Sequence, residues 1–577
     1  MNIVKAILLG LIVYVSIYFG LPTWQMDNPS MWFMFVFWGL SLVFLGSKTN
    51  IEGKIQSTAF TWIGVALTVL PLLVVMVQWI GGWRWPNEDN YRDLIGKVEY
   101  KVYSNEVAPI DQSKIFVIPP STASLLAEKA FVSKDDTSSN VVGSLASLGR
   151  VVVQEVNDGI YYVAPTLHRS FWKWRENKQG TPGYIMVNAV NEKDVQYVDD
   201  YKIVYQPGAC FTQNLERHLW LNGYSATYKT DYLFEIDDTG RPYWVVSTYD
   251  RTIGMSGKDA NGCLVVDAET GEINEYTIEK TPLWVDRIQP AEFVHKQLVD
   301  WGSLAEGYIN WQDLNRKHIT DGMSVVYGND KQCYYYTGVT SVGKDDATIG
   351  FVEVNTRTKE AVFYKKAGAT EAAAMRSAND LYSDLRYEST FPKTYNINGE
   401  PTYIMGMKAS SGMIKAVCMV NVEDYNTVGN GETIGEALRS YRGKLTKNIH
   451  DAILSEDTEQ DLALRIVARY HQDAESGMFY ALLDSLDKMT LIDGTSFQDA
   501  YLTQIGDSVI VAVLPSETAT ESAIYFDNIN LDITVSEKQK ELENNLKNPV
   551  LYDNGEETAL PTGSEKDSRK KGKIPNS

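Results

Sequence analysis

Residues 262–276 read GCLVVDAETGEINEY, and residues 350–364 read GFVEVNTRTKEAVFY. The two align without a gap, 88 residues apart: Gly262, Val266, Thr270, Glu272 and Tyr276 recur as Gly350, Val354, Thr358, Glu360 and Tyr364. Each is an apolar strand, a polar turn and a returning strand. The turns centre on Glu269-Thr270-Gly271 and Arg357-Thr358-Lys359. Both stretches therefore read as β-hairpins, with Gly271 supplying the positive φ that its turn needs. Repetition at this spacing marks tandem units.

Working outward, each hairpin follows another strand and precedes a helix. The leading strands are GRPYWVVSTY from Gly240 and KQCYYYTGVTSV from Lys331. A third copy, GEPTYIMGMK from Gly399, runs into KAVCMVNVEDY. Trailing helices are expected over 291–301, 370–381 and 433–441. A weaker copy begins with the leading strand GTPGYIMVNAV at Gly180 and is trailed by a helix over 213–221. Antiparallel strands with one apolar face and a helix to cover it make a small α+β unit, and 178–447 reads as a tandem of them.

Upstream, three apolar runs occupy about 6–21, 31–46 and 60–80, inside a region that ends near residue 85. The third, without a charge, rises about 1.5 Å per residue and so crosses roughly 30 Å of hydrocarbon. The first two borrow flanking residues to span, and no small-residue cleavage pattern follows Gly20. Lys5 precedes the first run, whereas Lys48 and Lys54 lie between the second and third. These lysines place the amino terminus and second loop in the cytoplasm and everything after Ile80 outside. Arg84 and Arg92 pull the other way. Trp79, Trp83 and Trp85 are expected at the membrane interface.

Residues 95–177 alternate short β-type runs with one helix over 121–131, capped by Ser121, and read as an α+β domain with a polar loop at 133–139. From 448 to 534 a small α/β domain is expected. Its first helix, over 455–470, carries Glu456, Asp457, Glu459 and Asp461 at one end and Arg465 and Arg469 toward the other. A second helix over 478–489 and the strands SVIVAVL and AIYFDNINLDI follow. Residues 535–577 read as a charged helix and a disordered tail ending in the basic KDSRKKGKIPNS.

A formal charge of −21 argues against nucleic acid as the main partner, because phosphate binding draws on clustered Lys and Arg. Cys210, Cys263, Cys333 and Cys418 lie too far apart for a paired-cysteine metal or redox motif, and buried free thiols suit their apolar settings better than disulfides. The six histidines, among them His218 and His295 in trailing helices, show no metal-ligand spacing. GMSGK at Gly254 lacks the spacing of a nucleophile elbow and reads as a hairpin loop. GNGETIGEA at Gly429 could offer amides to an anion, but Glu432 and Glu436 would repel one, and a helix-entry loop accounts for it. The acids Asp237-Asp238, Asp345-Asp346 and Asp267, Glu269, Glu272 are turn residues before they are calcium ligands. The aromatic runs CYYYTG at Cys333 and FWKW at Phe171 would suit sugar or peptide contact if exposed, but in strands of a sheet they read as core. No catalytic, metal or cofactor-binding residue emerges.

The string VDAETGEI with its following helix resembles the PepSY-type module, found in exported protease propeptides and in membrane-anchored cell-envelope proteins. About forty residues per copy carry the likeness, and the second copy has Asn355 and Lys359 where the first has Asp267 and Gly271. The stretch as far as Leu445 also resembles a family of multi-span membrane proteins of bacteria and phages, through GTPGYIMV, YWVVSTYDRTIG, VDRIQPAEFV and GATEAAAMRSA. That resemblance implies architecture and no activity.

The expectation is thus an α+β chain: an N-terminal three-helix transmembrane anchor, then tandem PepSY-like sheet-plus-helix units. It is a multi-pass protein of the cell membrane whose soluble part lies outside. Its expected role is non-enzymatic binding or scaffolding in the cell envelope, with the lipid bilayer and another membrane or envelope protein as partners and self-association left open. Two alternatives stand beside it. One is an inhibitor or chaperone of an exported protease; the other is an enzyme with an unfamiliar site, which would need a polar pocket with perturbed ionisable groups. A transporter is disfavoured, because no charge lies inside any span.

Overall fold

The structure, a computed structural model, describes residues 3–49, 55–56, 58–103, 114–133, 146–310, 312–341, 347–397, 400–438, 440–442, 444–445, 463–473, 477–484, 488–494, 497–514, 520–532, 552–553 and 556–557. The chain divides into two compact units, the first comprising Met1–Asn448 and the second beginning at Ile449.

The first unit opens with three helices long and apolar enough to cross a membrane: α1 (Ile3–Gly20), α2 (Pro29–Gly46) and α3 (Ala59–Gly81). Glycine lets α2 and α3 touch backbone to backbone. A Cβ on Gly39 would stand 2.8 Å from the Gly64 carbonyl oxygen, and one on Gly64 would stand 2.8 Å from that of Gly39. Near the start of α1, Lys5 donates to the Ser47 carbonyl at 3.4 Å. At the opposite end, the loop after α1 is tied to the folded region, with Trp24 N–H on Ser225 O and Trp220 Nε1–H on Pro22 O, both at 2.9 Å.

Four antiparallel sheets follow. Sheet I has Ala146–Leu148 and Val152–Val156 side by side along Gly159–His168, then Thr181–Asn188 and Val195–Ile203. Sheet II is the meander Tyr228–Ile236, Pro242–Ile253, Ser256–Asp267, Ile273–Thr277. Sheet III sets His318–Ile319 and Ser324–Tyr327 along Cys333–Thr340, then Ala347–Asn355 and Ala361–Ala369. Sheet IV sets Glu388–Ser389 and Lys393–Ile397 along Glu400–Lys408, then Ile414–Asn421 and Val428–Gly431. A helix trails each sheet: Leu215–Leu221, Ala291–Ser303, Glu371–Leu381 and 434–438. The described chain is therefore mixed α+β, with small antiparallel sheets behind three apolar helices.

One local device recurs in all four sheets. A fully buried valine precedes an Asn or Asp at the end of the third strand, as Val187-Asn188, Val266-Asp267, Val354-Asn355 and Val420-Asn421. Each Asx side chain accepts the N–H groups two and three residues on: 2.9 and 3.1 Å at Asn188, 2.9 and 2.7 Å at Asp267, 2.9 and 3.0 Å at Asn355, 2.8 and 2.9 Å at Asn421. The next residue is buried and donates its N–H to the preceding strand, so that Ala189, Ala268, Thr356 and Val422 reach Ile160 O, Pro242 O, Cys333 O and Pro401 O at 2.9, 3.1, 3.0 and 3.0 Å.

The repeat therefore has four copies, and three expectations change. GTPGYIMVNAV is the third strand of its sheet and not a leading one. The boundary expected at 177/178 falls inside sheet I, because Gly159–His168 pairs with Thr181–Asn188. Strand Val98–Val102 likewise belongs to no separate domain, since it lies parallel to Ala361–Ala369 on the edge of sheet III. Strand pairing is non-local and leaves no trace in the composition of either segment.

Alternation along the strands gives each sheet two packing faces. Leu215 and Leu219 fill the space between sheets I and II; Phe351, Tyr403 and Met419 join sheets III and IV. The helix Pro120–Ser133, expected over 121–131, covers sheet I with Ala123, Leu126 and Phe131, while Val294 and Leu298 cover sheet III.

In the second unit, Ala463–Gln472, Met478–Leu483, Met489–Asp493, Thr520–Asn528 and Ser508–Leu514 close into a barrel around Val467, Phe479, Ile492, Val511 and Phe526. This corrects the two helices expected over 455–470 and 478–489: their described residues from 463 on are largely strands, and 455–462 lie outside the described residues. Closure satisfies every strand edge, a gain that local helix propensity cannot anticipate. The charged helix expected to about 546 and the basic tail also lie outside the described residues, as do Asp345 and Asp346.

Candidate functional site

The first turns of sheets I, II and III meet at one place. Asn157 and Asp158 stand at positive φ between Val156 and Gly159, Asp237–Gly240 links the first two strands of sheet II, and Lys331 takes φ +60° before Cys333. Asn157 Nδ2 donates to the Asp238 carbonyl at 3.1 Å, and Lys331 forms an ion pair with Asp158. Between these turns opens a cleft of about 910 Å³. The Asx turn of sheet III closes one side: Arg357 donates to Thr281 O at 2.7 Å and to Leu283 O at 3.0 Å.

Asp286 is the floor of the cleft. It is 6% exposed, and its Oδ2 accepts both the Glu155 N–H and the Tyr327 hydroxyl at 2.8 Å. One carboxylate thereby joins the linker after sheet II to a strand of sheet I and a strand of sheet III. Behind it lies Glu235, fully buried, whose Oε2 accepts the Asp286 N–H at 3.3 Å while Oε1 has no partner. Burial, and then the Asp286 carboxylate, push the Glu235 carboxyl well above the ordinary glutamate range; burial raises Asp286 as well. Burial and mutual repulsion both disfavour ionising the two carboxyls together. Arg287, partly buried, donates to Val153 O at 2.8 Å and its charge favours ionisation of the neighbouring acids.

A second buried pair borders the floor. Lys114 Nζ lies 2.5 Å from Glu155 Oε1, with side chains 8% and 9% exposed, and Glu155 Oε2 has no partner. Acids dominate the rim, with Asp158, Asp238, Glu279, Asp330 and Glu360 facing Lys331 and Arg357. Cys333 also lines the cleft, but burial pushes its thiol up to about 12, which keeps it protonated and unreactive. A neighbouring cavity of about 610 Å³ shares Asp330, Gln332 and Glu360 with the cleft. There burial, then Asp330, push Glu353 up to about 7.

The structure divides the repeated hairpin residues among different surroundings. Thr358 and Glu360 reach the cleft, and Tyr364 lines the neighbouring cavity. Thr270, Gly271 and Glu272 take no part in either cavity; the Gly271 carbonyl instead lies 2.8 Å from His218 Nε2. Gly262 and Gly350 have a shared structural duty, since a Cβ would stand 2.3 Å from Tyr276 O in one hairpin and 2.2 Å from Tyr364 O in the other. Val266 and Val354 are core. Trp79, Trp83 and Trp85 are exposed near the end of α3, at 61, 46 and 63%.

Other sequence candidates resolve into local chemistry. Asp237 accepts the N–H groups of Thr239 and Arg241 at 2.9 Å, as a turn residue should. Asp267 lies 2.5 Å from Arg241; burial opposes its ionisation, but Arg241 and the turn amides together hold it below the usual range. At Gly429 the helix-entry loop uses its own acid, Glu436 accepting the Glu432 N–H at 2.9 Å. GMSGK is the tight turn between Ile253 and Ser256, and Gly254 packs against Gln78 of α3. Tyr335 and Tyr336 are core, whereas Phe171 and Trp172 are 42% and 64% exposed, which corrects the reading of FWKW as core.

The floor residues escaped the sequence because no short spacing joins them. Tyr327 is 41 residues from Asp286, and Glu155 is 131. The only textual hint was VDRIQPAEFV, where Asp286 and Arg287 follow a buried Val285.

No protein-family model matches the chain, and no curated protein does. Among solved structures, a point mutant of the apocarotenoid oxygenase of Synechocystis aligns over 67% of each chain at 8% identity with a TM-score of 0.14. A likeness of that size carries no argument about fold or activity.

Proposed function

We propose that this chain is a membrane-anchored, non-enzymatic binding protein of the cell envelope, built from PepSY-like units, whose acidic cleft receives a positively charged segment of another membrane or envelope protein. The observation that carries the reading is the convergence of three equivalent turns, one from each of three successive units, on a single open cleft rimmed by acids. Repeats used this way supply a recognition surface that no single unit has. Acidic walls around a partly desolvated floor attract and orient cations. The lining thiol of Cys333 is held protonated, and Asp286 at the floor accepts bonds from sheets I and III, which ties it into the frame of the cleft.

Two features support an anchor with the folded region on its far side. The lysine-bearing ends of the helices, with Lys5 beside Ser47, lie opposite the loop that Trp24 ties to the folded region. Lysine-rich ends face the cytoplasm, which leaves the cleft outside.

The test uses a cysteine at Asp238 in a Cys210→Ser background. An impermeant thiol reagent should label it in intact cells, and a photocrosslinker attached there should capture one discrete partner. Capture should drop in the Asp158→Lys, Asp330→Lys variant. Labelling only after lysis would refute the orientation, and capture indifferent to the charge reversal would refute the cleft as the binding site.

A further inference from the structure

Basic and aromatic residues gather on one exposed face of sheet I's helical insertion, Phe171–Glu176. Phe171, Trp172 and Phe211 are 42, 64 and 50% exposed, and the Phe171 and Phe211 rings lie 6.3 Å apart. Arg169, Lys173, Arg175 and Lys178 lie within a few residues of Phe171 and Trp172 in a chain whose formal charge is −21, with Lys173 paired to the local acid Glu176 at 3.2 Å. Arg175 stands over the Trp172 ring at 5.8 Å and Lys178 over Trp174 at 5.5 Å. Burial cannot explain the rings, and a solvated loop does not explain why the basic residues concentrate here.

The patch is continuous with the apolar helices. Arg217 donates to the Phe211 carbonyl at 3.4 Å and to the Tyr18 carbonyl at 3.1 Å, and its guanidinium lies 4.2 Å from the centre of the Tyr18 ring. Tyr18 is in the last turn of α1, next to Phe19, which is 74% exposed. One arginine thus bridges the end of an apolar helix and the aromatic patch.

We propose that this face lies on the bilayer surface, with Phe171, Trp172 and Phe211 in the interfacial layer and the four basic side chains on anionic lipid headgroups. Aromatic rings favour that layer, and basic side chains next to it gain from a negative surface. The contact rests on the reading of α1–α3 as membrane-inserted and adds to it: the folded unit would be held against the membrane as well as tethered, fixing the side from which the cleft is approached.

The experiment places the full chain in nanodiscs containing anionic lipid and a lipid with a photoreactive headgroup, then maps the adducts by mass spectrometry. Adducts are expected near the ends of α1–α3 and, separately, within 169–178 and at Phe211. A Lys173→Glu, Arg175→Glu variant should lose the second set several-fold and keep the first. Adducts confined to the helices would overturn the surface contact while leaving membrane insertion standing; adducts in neither region would overturn both. Adducts at 169–178 that survive the charge reversal unchanged would overturn the headgroup contact.

Discussion

The Tyr327 hydroxyl lies 2.8 Å from Asp286 Oδ2, joining a strand of sheet III to the linker that follows sheet II. Both groups are buried, so neither can turn to water if the other is lost. Tyr327→Phe should therefore cost about 1–3 kcal/mol, the worth of a buried hydrogen bond to a carboxylate oxygen that keeps only the Glu155 N–H. Denaturant unfolding of the full chain in detergent checks this. A loss below a few tenths of a kcal/mol would show that the tie is dispensable.

Glu235 gives the fold a pH signature. Its carboxyl is raised in the folded state, so above the ordinary glutamate pKa of about 4.3 the unfolded chain releases a proton that the folded chain keeps. Stability from this group is then full below that pH and falls as pH rises toward the folded value. Glu235→Gln cannot ionise, so the variant should gain on the parent steadily from pH 5 to 8. Parallel unfolding midpoints at every pH in that range would count against a raised Glu235.

The two repeat glycines should behave alike. A Cβ at Gly262 or Gly350 would meet the facing carbonyl at 2.3 or 2.2 Å, so Gly262→Ala and Gly350→Ala should each cost about 1–3 kcal/mol through forced backbone shifts. Thermal unfolding of both variants would show similar losses if the hairpins are equivalent, and unequal losses if they are not.

The Asx turns separate chemistry from shape. Asn355→Asp keeps an acceptor for the amides of Arg357 and Thr358, whereas Asn355→Ala leaves both without one. The first change also loses the Nδ2–H that Asn355 donates to the Gln332 amide oxygen and should cost about 1 kcal/mol; the second, which strips the two turn amides as well, should cost more, about 2 kcal/mol. The same ordering should hold at Asn421, whose Nδ2 donates to the Tyr441 hydroxyl, which can turn to donate to a carboxylate instead, and a reversed ordering there would remove it from the set.

Apolar length and local periodicity are enough for the three apolar helices, the trailing helices over 291–301 and 370–381, and the hairpins at Val266 and Val354. Two copies stand out because their turns have equal length. Asn188 and Asn421 reach their closing carbonyls at Asp194 and Thr427, one residue farther than Asp267 to Glu272 or Asn355 to Glu360, and that insertion hides the alignment. The barrel strands read as helices in the sequence because charge at a helix end is a local cue, while the partner that makes a strand is distant.

By itself, then, the sequence determined what each segment can do with its neighbours: α1–α3 are long and apolar, and Val-Asx ends a strand, because both depend on contacts a few residues away. Only the tertiary structure decided that Glu155, Glu235, Asp286 and Tyr327 share one site. Their interactions exist because three sheets pack in succession and exclude water, and no residue in any of the four segments carries that information alone.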